Sequence, residues 1–304
     1  GIVFLDTIII EFCQGRGIEL VARYGLIANV HVCPTCNQRC TFSVYNGGID
    51  GYRWRCQRDS YVKSVRVDSF FQRSHLPLDL LMKIIVFWAK QEPQKEITRC
   101  YKVTEKPLLD WYNFLRDVAG EYLTNNPYHL GGFDDEGKPR VVEIDESKYF
   151  HRKYHRGQWR DGHWVFGAIE RDTGTCIMQV VPDRTAATLT ALIAQWLLPG
   201  KRIMLDGWAA YANLSTIHGG IFQHDVIHEA NFVNPNDRDV HTNNVENMWM
   251  RAKRQLKRMF GTSDTLFPTY LVEFMWRERF KEHQDRYFEC MVHCIRQSYP
   301  VPSA

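Results

Sequence analysis

Apolar residues recur at about every third or fourth position around Phe4, Ile8, Phe12 and Leu20, and this spacing predicts a helix within residues 4–28. From residue 31 the helical period is lost. Residues 31–69 carry turn signals at Gly47-Gly48 and Gly51, with the strand formers Tyr45, Tyr52 and Trp54 around them. Helical spacing returns over 78–91, 94–101 and 105–123, three helices joined by short linkers in the manner of a helix-turn-helix unit. A polar break follows, made of Asn125-Asn126-Pro127, Gly131-Gly132 and Asp134-Asp135-Glu136-Gly137, and it predicts a domain boundary.

Beyond the break the pattern is different. Strands are predicted over 140–146, 163–170 and 175–181, with Asp172-Thr173-Gly174 as a hairpin turn between the last two. A helix over 185–198 opens near Asp183 or Thr185 and stops at Pro199-Gly200. Strands at 201–206 and 222–227 come next, then helices at 243–260, 266–281 and 284–297. Three antiparallel strands, a helix, and further strands alternating with helices are the element order of a ribonuclease H-like α/β fold. The expected organisation is an N-terminal helical segment (1–30), a zinc-ribbon-like domain (31–69), a helical domain (70–130) and a ribonuclease H-like domain with C-terminal helices (138–304).

The apolar and charged fractions, 44% and 24% of 304 residues, are those of a folded protein and exclude wholesale disorder. The net charge of +3 does not by itself announce a polyanionic partner, so basic surface must be local. Two stretches provide it: His151-Arg152-Lys153-Tyr154-His155-Arg156, and the set Arg251, Lys253, Arg254, Lys257 and Arg258. The nine cysteines are an odd number, and only Cys33, Cys36, Cys40 and Cys56 cluster, which predicts a reduced intracellular protein with one metal knuckle. Residues 1–13 are apolar but broken by Asp6 and Glu11 and lack a basic leader, and Lys83 interrupts the run at 80–89 well short of a membrane span. A soluble chain, with no membrane partner, is the expectation.

Three acids stand in the right order for phosphodiester chemistry: Asp145 in V-E-I-D-E-S, Asp206 in I-M-L-D-G-W-A-A-Y, and Glu246 in H-T-N-N-V-E-N-M-W. Two strand-borne aspartates and a helix-borne glutamate can converge on two divalent cations, and hard oxygen ligands suit Mg²⁺ or Mn²⁺. Strand alternation sends Glu146 to the other face, while Glu143 shares the Asp145 face nearer the start of the strand. His241, Thr242 and Asn244 are expected to orient either Glu246 or the scissile phosphate, and Trp249 is expected in the core. The second metal candidate is the knuckle Cys33-Pro34-Thr35-Cys36 with Cys56. Where a second C-x-x-C would close, the chain has Asp59, so either the fourth zinc ligand is Asp59, Cys40 or His31, or the site has decayed to buried free cysteines.

Taken together, V-E-I-D-E-S-K, D-G-W-A-A-Y, H-T-N-N-V-E-N-M-W-M-R-A-K-R and F-G-T-S-D-T-L-F-P-T-Y-L-V-E-F-M-W-R resemble the Merlin superfamily of cut-and-paste DNA transposases, relatives of bacterial insertion-sequence transposases with an Asp-Asp-Glu catalytic domain. The resemblance is strong over 141–280 and weaker over 33–123, where that family carries a zinc ribbon and a helical DNA-binding region. It implies that Asp145, Asp206 and Glu246 bind the catalytic Mg²⁺ or Mn²⁺, with structural Zn²⁺ in the ribbon. It also implies recognition of terminal inverted repeats, excision, 3′-hydroxyl strand transfer into target DNA, a dimeric or larger synaptic assembly, and a nuclear location. Arg152, Lys153 and Arg156, together with Arg251, Lys253, Arg254, Lys257 and Arg258, are the expected DNA contacts. The competing expectations are a related ribonuclease H-like nuclease, or a domesticated DNA-binding protein without catalysis.

Overall fold

The computed structural model describes residues 17–150, 162–198, 201–206, 222–227, 233–234, 237–259 and 262–302, with backbone alone at 201, 206, 222–227, 233–234 and 237–240. The chain forms two compact units, Gly1–Thr124 with Phe280–Ala304, and Asn125–Arg279.

The second unit is built on a five-stranded sheet. Its strands are β4 (Val141–Tyr149), β5 (His163–Glu170), β6 (Cys176–Val181), β7 (Lys201–Asp206) and β8 (Phe222–Ile227), in the order β6-β5-β4-β7-β8. The first three form an antiparallel meander, while β7 runs parallel to β4 and β8 parallel to β7. Counted within the sheet this is the order 3-2-1-4-5 of the ribonuclease H-like fold, so β4 lies at its centre. β4 extends three residues beyond the expected end. Ser147, Lys148 and Tyr149 pair with Val165, Trp164 and His163, a continuation hidden in the sequence by the basic residues that follow.

Alternation along β4 divides the core in two. Val142 and Ile144 join Phe166, Ala168, Leu189 and Ile193 under helix α5 (Ala186–Trp196). Thr185 is the N-cap of that helix, its hydroxyl accepting from the Thr188 N–H at 3.4 Å, and Asp183 in turn accepts from the Thr185 N–H at 3.0 Å. On the other face Tyr149 joins Val165, Val245, Met248, Trp249, Phe267 and Leu271, under helices α6 (Asn243–Arg258) and α7 (Phe267–Arg279). A two-stranded hairpin, β9 (Val233–Asn234) with β10 (Asp237–His241), leads into α6. The strand pattern alone did not predict it.

The first unit contains a three-stranded antiparallel sheet, β1 (Thr41–Val44), β2 (Tyr52–Arg55) and β3 (Val62–Ser64). Its helices are α1 (Gly17–Arg23), α2 (Leu78–Ala89), α3 (Gln94–Tyr101), α4 (Glu105–Asn125) and α8 (Tyr287–Ser298), the last preceded by a 3₁₀ turn at Lys281–Arg286. The non-helical backbone at His283 (φ −112°, ψ 29°) is why α8 starts later than its period suggests. Helix α2 is apolar on nearly every side and packs against both α1 and α8. Arg66 and Asp50, both buried, tie the small sheet to α2. The Arg66 Nε donates to Asp50 Oδ2 at 2.6 Å, and the Leu78 N–H at the start of α2 donates to Asp50 Oδ1 at 3.3 Å. Sequence order alone assigns the C-terminal helices to the sheet domain. The packing of Phe288 on Tyr24, of Phe280 on Tyr122 and of Tyr299 on Phe70 groups α8 and the turn before it with the first unit, while α6 and α7 stay with the sheet.

Helix α6 lies close against β5 because Gly167 has no side chain. A Cβ there would sit 2.3 Å from Trp249 Cζ2 and 2.8 Å from Met248 Cε. Gly167→Ala is therefore expected to destabilise the sheet unit by about 1–3 kcal/mol through overpacking. Urea unfolding followed by tryptophan fluorescence measures it, and an unchanged midpoint would show that the helix can shift freely.

Candidate functional site

Glu143, Asp145 and Ser147, alternate residues of β4, all meet α6. Glu143 is fully buried and accepts four hydrogen bonds: from Arg171 Nε (2.6 Å), Asn244 N (2.8 Å), Asn244 Nδ2 (2.7 Å) and Val245 N (2.9 Å). Asp145 accepts from the Trp249 indole N–H at 2.9 Å through Oδ2, and from the Glu146 N–H at 2.8 Å through Oδ1. Ser147 accepts from Lys253, whose ammonium also lies 5.0 Å from the Tyr149 ring centroid. Three successive side chains on one strand face thus engage one helix.

Glu143 does what a local cap would otherwise do. Thr242 is the N-cap of α6 and makes no side-chain cap bond, so two of the orphan N–H groups of the first turn point at the Glu143 carboxylate instead. A carboxylate at a helix N-terminus, flanked by a guanidinium, offsets the cost of its own burial. Asn244 and His241, expected to orient Glu246, act through this carboxylate, the His241 ring standing 3.4 Å from it. Glu246 is exposed in that first turn, its N–H bonded to the Thr242 carbonyl at 3.1 Å. Glu146 faces the other way, towards Arg184 at 3.9 Å, as alternation requires.

Asp206 is the last residue of β7, in register with Ile227 of β8, and its side chain lies outside the described atoms. The recorded parallel pairs Val142↔Ile203 and Glu143↔Met204, continued by two residues, set Asp206 level with Asp145 on the neighbouring strand. Adjacent strands are about 4.8 Å apart. Among the described residues no three acidic groups converge within metal-ligand distance.

The expected DNA contacts fall into three sets. Arg254, Lys257 and Arg258 are exposed on α6. Arg251 is ion-paired with Glu278 and lies over the Phe274 ring at 5.5 Å, and Lys253 is bound to Ser147. Arg152, Lys153 and Arg156 lie outside the described residues. Glu143 and Gly167 have roles that the strand and helix patterns did not single out. Trp249, expected as core, is core and also a hydrogen-bond donor to Asp145.

The second metal candidate is in the first unit. The sulfurs of Cys33, Cys36 and Cys56 lie within 4.8 Å of one another, with Cys36 and Cys56 at 3.4 Å. The Arg58 N–H donates to Cys56 Sγ at 3.4 Å, and the Asp59 carboxylate stands 3.9 Å from Cys33 Sγ. Of the three candidate fourth ligands, His31 is engaged with the Tyr61 hydroxyl at 2.9 Å, and Cys40 lies outside the tight trio. Burial pushes the Cys33 thiol up, but hydrogen bonds from the Cys36 and Thr35 backbone outweigh it and hold the thiol below its ordinary value. At Cys36 the Gln38 backbone lowers the thiol, while Cys56, burial and Cys33 outweigh that and raise it. Three sulfurs this close cannot all ionise without a cation among them, so the donor set fits Zn²⁺, with Asp59 and Cys40 beside the trio as fourth groups.

Residues 139–279 match the family model for an ISXO2-like transposase domain. This segment is thus similar to transposase domains of that family. Three viral integrase structures show weak likeness to the chain. The HTLV-2 integrase catalytic core domain, solved in complex with magnesium, is 15% identical with a TM-score of 0.32, covering 45% of this chain and 83% of that one. The BIV integrase catalytic core domain is 16% identical, TM-score 0.31, covering 45% and 80%. A simian T-cell lymphotropic virus intasome in complex with PP2A regulatory subunit B56 gamma is 18% identical, TM-score 0.32, covering 65% and 67%. At such scores the fold rests on the strand order itself. No curated protein matches the sequence. The matched segment spans β4 to α7 and so takes in Asp145, Asp206 and Glu246. No described helix is long and apolar enough to cross a membrane.

Zinc content by mass spectrometry checks the cysteine centre. The chain is expected to carry zinc in stoichiometric amount, Cys33→Ser and Cys56→Ser to lose it, and Asp59→Ala to bind it more weakly. Full zinc retention in both cysteine variants would contradict the assignment.

Proposed function

We propose that the protein is a cut-and-paste DNA transposase in which Asp145, Asp206 and Glu246 hold two Mg²⁺ or Mn²⁺ ions. The observation that supports this most is the β4–β7 register, which sets Asp145 and Asp206 level on adjacent strands at the sheet centre, beside the helix that bears Glu246. The transposase family match over the same segment supports it independently. When bound, the ions supply charge that activates an attacking oxygen and stabilises the leaving one. The chain's own groups do the rest. Trp249 fixes the Asp145 carboxylate through one lone pair of Oδ2, and Glu143 fixes the turn from which Glu246 projects.

In this reading water attacks a phosphodiester at the transposon end and releases a 3′-hydroxyl and a 5′-phosphate. The 3′-hydroxyl then attacks a target phosphodiester, displacing its 3′-oxygen and forming the new bond. Arg254, Lys257 and Arg258 are exposed along the helix that carries Glu246 and contact phosphates beside the cut. Arg251 and Lys253 lie closer to the fold, and Arg152, Lys153 and Arg156 are taken as further phosphate contacts on sequence alone. Helices α2 to α4 read the terminal inverted repeat, with α3 as recognition helix because its buried side is narrow and Lys95 and Arg99 stand on it. Two or more copies hold the two ends together.

A labelled transposon-end duplex with Mg²⁺ or Mn²⁺ tests this. Cleavage and joining are expected in the wild type and a loss of more than about a hundredfold in Asp145→Asn, Asp206→Asn and Glu246→Gln, with binding retained. A variant that cleaves at the wild-type rate would remove that residue from the site. Replacing both Arg254 and Lys257 with Ala is expected to reduce the slope of log affinity on log salt by roughly 1.8, about 0.9 per phosphate contact. An unchanged slope would leave both as solvated charges.

A further inference from the structure

The aromatic face of the small sheet continues past the core that covers it. Strand pairing sets Phe42 opposite Trp54 and Val44 opposite Tyr52, with Lys63 beside Trp54, so alternation puts all five on one face. Trp54 is covered by the cysteine cluster and stacks with His31. The others on that face are open: Phe42 is 45% exposed, Val44 67% and Tyr52 36%. The Phe42 and Tyr52 rings stack with centroids 4.8 Å apart and planes 17° apart, and the buried Trp54 braces Phe42 edge-on at 5.2 Å. Rings held on a sheet in this way lose little freedom when something stacks on them.

The charge beside these rings is one-sided. Lys63 is exposed on the same face, and Arg55 and Arg58 are exposed nearby in the chain. Of the acids in residues 31–69, Asp50 is buried against Arg66 and Asp59 faces Cys33, which leaves Asp68 as the exposed carboxylate. An open aromatic platform with cations at its rim suits a polyanion whose units have flat π faces. Duplex DNA keeps those faces inside its stack, whereas unpaired nucleotides offer them. We propose that this face binds unpaired nucleotides of single-stranded DNA, with bases stacked on Phe42 and Tyr52 and a phosphate near Lys63. The choice of DNA over another polyanion rests on the transposase reading.

Fluorescence anisotropy of the full-length, zinc-containing chain tests this with a labelled dT oligonucleotide and, separately, a blunt duplex of the same length. Replacing Phe42 and Tyr52 together with Leu keeps apolar area but removes the π faces. It is expected to weaken oligonucleotide binding roughly tenfold or more while duplex binding changes less than about twofold. Tyr52→Phe is expected to bind as the wild type. Zinc content and thermal melting equal to wild type show that the Leu variant is folded. Equal oligonucleotide affinity in wild type and Leu variant overturns the proposal, as does a wild type that binds no oligonucleotide. A Phe42→Ala, Tyr52→Ala variant that loses self-association in sedimentation, with oligonucleotide binding intact, overturns it in favour of an interface between copies. The same titration on Asp145→Asn separates this from the catalytic reading: a chain that cannot cleave but shows the Phe42 and Tyr52 dependence leaves the proposal standing.

Discussion

A strand and a helix agree in their repeat, and the sheet unit depends on it. Two residues along a strand advance about 6.6 Å, and four residues along a helix advance about 6.0 Å. On β4 the steps are Glu143, Asp145 and Ser147, and on α6 they are Val245, Trp249 and Lys253, joined rung by rung through hydrogen bonds. Over three rungs the mismatch is small enough for every bond to form. A slip of one strand residue would turn the whole face away, and a slip of one helical turn would strip the buried Glu143 of its three bonds from α6 and leave it to Arg171. The azimuth of Glu246 and the depth of Trp249 follow from this register.

The two metal candidates differ in how far apart in sequence their parts lie, and this decided how legible each was. The ribbon's sulfurs come from a tight turn and one nearby strand end, and the spacing of Cys33, Cys36 and Cys56 announces them directly. Asp145 and Asp206 could be read because each ends or interrupts an apolar strand run. Glu143 could not be assigned a role. Its partners stand 28 and 101 or 102 positions away, and nothing in V-E-I-D-E-S separates a helix-capping glutamate from a solvated one. Gly167 lies in an ordinary strand pattern, and only the position of Trp249 above it explains the missing side chain.

Element type was read well along most of the described chain because the periods are strong, from the apolar run of α2 to the basic and apolar alternation of α6. Short elements were harder. β9 spans two residues and β3 three, too few for any period to register. The grouping of the C-terminal helix was hardest of all, since Phe288, Met291 and Ile295 would suit any apolar partner and the sequence does not say which one they meet.

That grouping has a consequence for synthesis on the ribosome. Helix α8 belongs with α2, yet some two hundred positions of chain, including the whole sheet unit, are translated between them. The sheet unit is continuous and can collapse as soon as its own residues emerge. The apolar flank of α2 waits for its partner until α8 has been translated. In the interval the nascent chain carries a complete sheet unit while the first unit still lacks α8.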